Sequence, residues 1–198
     1  MYKLSPRMQQ NFRQCLTEFH SLFDGGRCIG WQLEELVARA IKSDTSAHHH
    51  AIWKEGGHDI EAGIRLRTNG EEHDLQIKSG RILKRKAFLK LSGYRLGRFE
   101  GDLVKISKFL NEDRANFVAI PYEQVNDDEG RKHIYRICYI ANKYLRGVSE
   151  DGWKQKGKQW IQKNDYEVEF SLSPSMNWQI WWSIPLDLVG QTEAISIG

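Results

Sequence analysis

The chain is predicted to be α/β, a mixed sheet flanked by helices, and three observations lead there. Apolar residues recur every three to four positions over the first 45 residues; from Asp59 onward they alternate every second position; and no linker, repeat or low-complexity tract divides the two regimes. With 198 residues, 40% of them hydrophobic and 28% charged, the chain can bury a real core without staples and does not have a disordered composition. One domain spanning residues 1–198 is expected.

The elements follow in chain order. From Ser5 to Phe23, the residues Phe12, Cys15, Leu16, Phe19 and Leu22 fall at helical spacing, and Asp24-Gly25-Gly26 stops the run. A second helix is predicted in WQLEELVARAIKS, with Leu33, Leu36, Val37, Ala40 and Ile41 on one face. At about 100° per residue, Glu34 lies at the margin of that stripe and Glu35 points away from it. Together these make residues 1–45 a helical N-terminal part.

The period then changes to two. In DIEAGIRLRT, Ile60, Ala62, Ile64 and Leu66 share one face, while Asp59, Glu61, Gly63, Arg65 and Arg67 share the other. After the turn dipeptide Asn69-Gly70, HDLQIKSG alternates again, with Leu75 and Ile77 opposite Asp74, Gln76 and Lys78. Residues 56–80 are therefore a hairpin with one dry face and one polar face. Beyond it, Asp102 is placed to cap a short helix carrying Leu103, Ile106, Phe109 and Leu110. Phe117 to Ile120 and His133 to Ile140 are predicted strands, split by a polar loop EQVNDDEGRK. EVEFSLS and WQIWWSIP are two more, and WKQKGKQWIQK is basic and aromatic.

Composition excludes several classes of function. Cys15, Cys28 and Cys138 are scattered and the N-terminal residues lack an apolar signal region, so a reduced, cytoplasmic setting is expected. No run of about 18 apolar residues is present to span a membrane. No Walker loop, zinc pattern, nucleophile elbow or dinucleotide fingerprint occurs, which leaves nucleotide cofactors unsupported. The net charge of +3 is small, but its distribution is not even. Seven Lys/Arg residues and no acid lie between Arg81 and Arg98 in RILKRKAFLKLSGYRLGR, an anion-binding footprint that defines a basic segment, 81–101. Arg81, Lys84, Arg85, Arg95 and Arg98 are the candidate nucleic-acid contacts. Gly93, Gly97 and Gly101 suggest a backbone approached closely, and a phosphate backbone fits.

The segment GGHDIEAGIRLRTNGEEHDLQIKSG resembles the active-site hairpin of the PD-(D/E)XK nuclease superfamily in the form where Gln replaces the second acid. Asp59, sixteen intervening residues and Gln76-Ile77-Lys78 carry the resemblance, which covers about 25 residues and, more loosely, the Glu-bearing helix before them. It implies a restriction-endonuclease-like core, Mg²⁺-dependent cutting of DNA phosphodiesters, and Asp59, Gln76, Lys78 and Glu34 as the catalytic set. Such hydrolysis needs a nucleophile made from water and stabilisation of charge on the phosphoryl oxygens, which Mg²⁺ held by a carboxylate supplies. Asp59 is the expected anchor, Gln76 offers a neutral oxygen, the Ile77 carbonyl can complete the shell, and Lys78 orients water and offsets phosphate charge. Glu34 is placed as an outer acid reaching a bound water. If Asn69-Gly70 is a simple two-residue turn, Glu61 falls opposite Lys78 and Asp59 opposite Gly80, so Glu61 is the alternative metal ligand.

The expected activity is that of a sequence-specific, double-strand endonuclease of the type II restriction kind, acting on palindromic DNA as a homodimer. A structure-selective repair nuclease or junction resolvase of the same superfamily, a DNA-binding module without catalysis, and an RNA-binding protein stacking bases on its tryptophans remain as rivals. His48-His49-His50 is placed on a loop rim, because three consecutive histidines suit no regular ligand geometry. Trp178, Trp181 and Trp182 are expected in the core or a dimer interface, while Trp153 and Trp160 could be core or stacking platforms.

Overall fold

The structure, a computed structural model, describes residues 3–23, 26–28, 30–44, 50–53, 64–68, 71–112, 116–128 and 130–198. It is a mixed α/β fold with three helices and one large mixed sheet. Helix α1 (Pro6–Leu22) begins where Ser5 caps it, with the hydroxyl accepting the Met8 N–H at 3.1 Å and Pro6 in the first turn, where no N–H is needed. The same hydroxyl donates to Asp44 at 2.9 Å, tying this start to the end of α2 (Trp31–Lys42). Phe12 and Leu16 are fully buried, as are Leu33, Val37 and Ile41 of α2. Leu22 departs from expectation at 76% exposed, because the last turn of α1 runs past the core it packs on.

Strands β1 (His50–Trp53), β2 (Ile64–Thr68) and β3 (Glu71–Leu83) form an antiparallel meander. His50 thus lies in a strand paired to Arg67 rather than on a loop rim, while His48 and His49 lie outside the described residues. A 3₁₀ turn (Lys84–Lys86) reverses the chain into β4 (Phe88–Arg95), which pairs with β3. The basic segment 81–101 thus has an internal strand at its centre, which the sequence reading did not identify. Leu89 and Leu91 are fully buried on either side of exposed Lys90, a period-two signal hidden by the density of positive charge.

Helix α3 (Leu103–Asn111) starts at Asp102, whose carboxylate accepts the Lys105 N–H at 3.0 Å as the sequence predicts. It leads to β5 (Asn116–Asp127), which pairs parallel with β3. The polar stretch 123–132 is not a loop. Tyr122 to Asp127 of β5 pair with β6 (Gly130–Tyr135), and the expected strand 133–140 is split between β6 and β7 (Cys138–Ile140), which return to different parts of β5. The sheet continues through β8 (Lys154–Lys156), β9 (Gln159–Lys163), β10 (Glu169–Ser173) and β11 (Gln179–Pro185), in the order β7-β5-β3-β4-β11-β10-β9-β8. Short strands β12 (Gly190–Gln191) and β13 (Ile195–Ile197) pair with β7 and β6.

Two apolar cores lie on opposite faces of the central strands. Leu75, Ile77, Val118 and Ile120 pack under α1 and α2, whereas Phe117, Ala119, Leu89 and Leu91 face α3 and Trp182. The alternation of side chains along β3 and β5 sends successive residues to one core or the other. Cys15, Cys28 and Cys138 are free, and burial pushes the Cys28 and Cys138 thiols up to about 12, so neither offers a thiolate near neutral pH.

Under α1 a polar pair sits inside apolar surroundings. The His20 ring stacks on His133 at 3.8 Å, its Nε2 shares a hydrogen bond with the Tyr135 hydroxyl at 2.8 Å, and Tyr122 meets His133 Nδ1 at 3.0 Å. Burial, and then the neighbouring His133, lowers His20 from 6.5 to about 4. The fold therefore holds it neutral while the unfolded chain takes up a proton near pH 6.5. Its contribution is fully present above that pH and is lost as pH falls towards 4, a loss on the order of 2–3 kcal/mol. Urea midpoints measured from pH 8 to pH 4 are expected to drop below pH 6.5 in the wild type and to drop less in His20→Gln; parallel curves would refute this.

Candidate functional site

Gln76, Ile77 and Lys78 lie in the middle of β3, a strand paired along its length with β2, β4 and β5. Ile77 points into the core beneath α1 and α2, so Gln76 and Lys78 project together to the other side, as period-two alternation requires. In the parallel ladder Gln76 is beside Phe117 and Lys78 beside Ala119. Gln76 is buried at 4% exposure and Lys78 is half-buried, with Gly80 the next residue on their face. An exposed ion pair, Arg65 to Asp74 at 2.9 Å, flanks Gln76 one step earlier on β3. Shielding of Gln76 strengthens any polar interaction at this point relative to bulk water.

The register of β2 on β3 runs from Ile64↔Leu75 to Thr68↔Glu71. That is the pairing of a two-residue turn, the same register from which the sequence placed Glu61 opposite Lys78. Asp59, Glu61 and Asn69-Gly70 themselves lie outside the described residues, as do Gly56 and Gly57. Glu34 is half-buried at the first turn of α2, and Glu35 turns outward to Arg39 at 2.7 Å, the division the helical geometry anticipates. The apolar stripe of α2 nevertheless packs on the Leu75/Ile77 side, so Glu34 belongs to a helix on the opposite face of β3 from Gln76 and Lys78.

The donors among the described residues, the Gln76 amide and the Ile77 carbonyl, are oxygens and suit a hard cation such as Mg²⁺. Ile77 is already within the β3–β5 ladder, which weakens its claim as a ligand relative to Gln76. Among the described residues no three His, Cys, Asp or Glu side chains form a metal cluster. A carboxylate for the ion would come from Asp59 or Glu61.

Two residues beyond Lys78 the sheet forks. Gly80↔Pro121 is the last β3–β5 pair; β3 then stays with β4 through Leu83↔Phe88, while β5 departs with β6. A groove of about 960 Å³ opens between these hairpins. Among the described residues its cationic lining is Arg27, Arg81, Lys84, Arg85, Lys86 and Arg136, against one acid, Glu123, which pairs with Lys84 at 2.8 Å. No family model, curated protein or solved structure matches the chain.

The basic run divides in two. Arg81, Lys84 and Arg85 line the groove, whereas Arg95 lies at the far end of β4, some eight residues or roughly 26 Å of strand away, and Arg98 lies beyond it. The Arg98 guanidinium sits 4.5 Å from the Phe109 ring centre and 4.7 Å from that of Phe99, covering the second core. The glycine reading is also corrected. A Cβ on Gly93 would run into the Trp182 ring, one on Gly97 into Asn177 and one on Gly101 into the Trp178 ring, so the close approach at all three is made by this chain's own β11 and the turn before it. Gly101, with φ +82°, also needs glycine's freedom for its backbone.

Trp182 is a core residue, and Trp153 is buried with its indole N–H donating to Ser107 at 2.9 Å. Neither can serve as an open stacking platform. Lys86, Arg27 and Arg136 were missed as site residues from sequence. Lys86 stood inside the basic run, but Arg27 and Arg136 are isolated along the chain and only folding brings them to the groove.

Proposed function

We propose that this chain is a Mg²⁺-dependent endonuclease that hydrolyses phosphodiester bonds in duplex DNA, with a restriction-endonuclease-like core. The observation that carries the proposal is the pairing of Gln76 with Lys78 on one face of the central strand, two residues before a groove lined by six cations and one acid. A bound Mg²⁺ would polarise a phosphoryl oxygen and lower the pKa of a coordinated water. Gln76 would hold it together with Asp59, or with Glu61 if the β2–β3 register is decisive, and the Ile77 carbonyl is the weaker candidate. Lys78 faces the same phosphate, where its ammonium group offsets charge building on the phosphoryl oxygens and orients the attacking water. The groove cations hold the strand by its phosphates.

Sequence specificity and action as a homodimer extend the proposal, since two-fold symmetry brings one centre to each strand of a palindrome. The direct test is mixed-sequence plasmid DNA with protein and Mg²⁺, or with Mg²⁺ removed by chelation. Discrete bands that vanish on chelation support a sequence-specific enzyme. Cutting confined to branched DNA indicates a resolvase, and tight binding with no nick indicates a binding module. Comparison of Asp59→Ala with Glu61→Ala assigns the carboxylate: the ligand's variant loses cutting and the other retains it. A single-chain mass in gel filtration, unchanged by DNA, would remove the dimer.

A further inference from the structure

We infer that the groove at the fork of β3 and β5 is the track for consecutive phosphates of the DNA strand on one side of the cut, and that Arg27 and Arg136 complete it. This rests on the nuclease reading for the position of the cut but not for the existence of the track. The cations come from three separate parts of the chain: Arg27 between α1 and α2, Arg81 and Lys84 to Lys86 at the end of β3 and in the 3₁₀ turn after it, and Arg136 between β6 and β7. Scattered surface lysines would not converge on one concavity. Here the fold gathers six positive groups around about 960 Å³ and, among the described residues, supplies Glu123 alone against them.

The lining is built rather than incidental. Lys84 is held by Glu123, and the Arg27 guanidinium lies 5.6 Å from the centre of the Tyr122 ring, an aromatic face that steers an otherwise flexible arm. Arg85 and Lys86 are exposed on the tight turn, whose reversal is completed by Ala87 at φ 52°. A ligand with one phosphate would leave most of these six charges unmatched. A polyanion with regularly spaced charges matches them. Gly80 of the groove lies on the face of Lys78, whereas Arg81 alternates to the other face of β3, so the groove wraps the strand's end two residues beyond the proposed cleavage point.

Anisotropy of a fluorescent DNA duplex, measured in chelator so that nothing is cut, tests this across a series of salt concentrations. Arg27→Ala/Arg136→Ala is expected to weaken binding about tenfold or more near physiological salt and to reduce the salt slope by about 0.9 for each phosphate that is no longer neutralised. Arg85→Glu/Lys86→Glu, at exposed positions where folding is unaffected, is expected to weaken it further, while Lys154→Ala/Lys158→Ala on the distant β8–β9 hairpin leaves it unchanged. Equal affinity and slope in both groove variants would overturn the inference, as would a groove-dependent preference for single-stranded RNA over the duplex. If groove variants lose binding but the wild type cuts nothing with Mg²⁺, the track stands and the nuclease reading falls. If the wild type cuts and the groove variants bind normally, the reverse holds.

Discussion

Replacing Lys78 with alanine is expected to reduce Mg²⁺-dependent cleavage at least about 10²- to 10³-fold while leaving DNA affinity within a few-fold of wild type. Lys78 is half-buried on the Gln76 face of β3, beside Ala119 and one position before Gly80 on that face. The groove cations would still hold the DNA, because they lie beyond the fork and outnumber this single charge. Single-turnover cleavage measured beside anisotropy separates the two effects. Lys78→Arg keeps the charge but spreads it over a planar fork, and only partial recovery is expected. A Lys78→Ala protein that cuts at the wild-type rate would end the catalytic proposal; one that neither binds nor folds would point to a structural lysine instead.

The largest expected loss of stability is in Trp182→Ala, about 3–5 kcal/mol, read as a shift in the urea midpoint. Trp182 is 1% exposed, lies 5.4 Å from Phe117 and 6.0 Å from Tyr94 between ring centres, and fills the space that Gly93 leaves on β4. Removing the ring opens a cavity that β4 and β11, pinned in register, cannot close. Trp182→Phe should cost much less than alanine. It keeps most of the apolar volume and gives up an indole N–H that finds no acceptor among the described residues. An equal loss for both replacements would show that the fit of the whole bicyclic ring against Gly93, rather than apolar volume alone, is what Trp182 contributes. Because β4 pairs with the end of β3 that lines the groove, Trp182→Ala is also expected to weaken DNA binding secondarily.

What was legible in the sequence was local. Helical periodicity located the three helices of the described residues, and Asp102 was legible as the cap of the third, since a cap is satisfied within three residues of itself. Alternation around Leu75 and Ile77 put Gln76 and Lys78 on one face, and a two-residue turn set the β2–β3 register, because both depend on strand geometry alone. The role of the basic run was not legible. Counting charges along 81–98 could not show that Leu89 and Leu91 make its middle an internal strand, that Arg98 covers Phe109, or that Trp182, Asn177 and Trp178 are what approach its glycines.

The chain order by itself determined the helices, the alternating face of β3 and the pair Gln76–Lys78, all consequences of interactions within a few residues or across one turn. Tertiary structure alone decided where β3 and β5 separate and that Arg27 and Arg136, more than a hundred positions apart, meet Arg81 and Lys86 at that fork. The reason is that strand pairing and burial act between distant segments, so a charge's neighbours in sequence carry no information about which charges it will face once the sheet has formed.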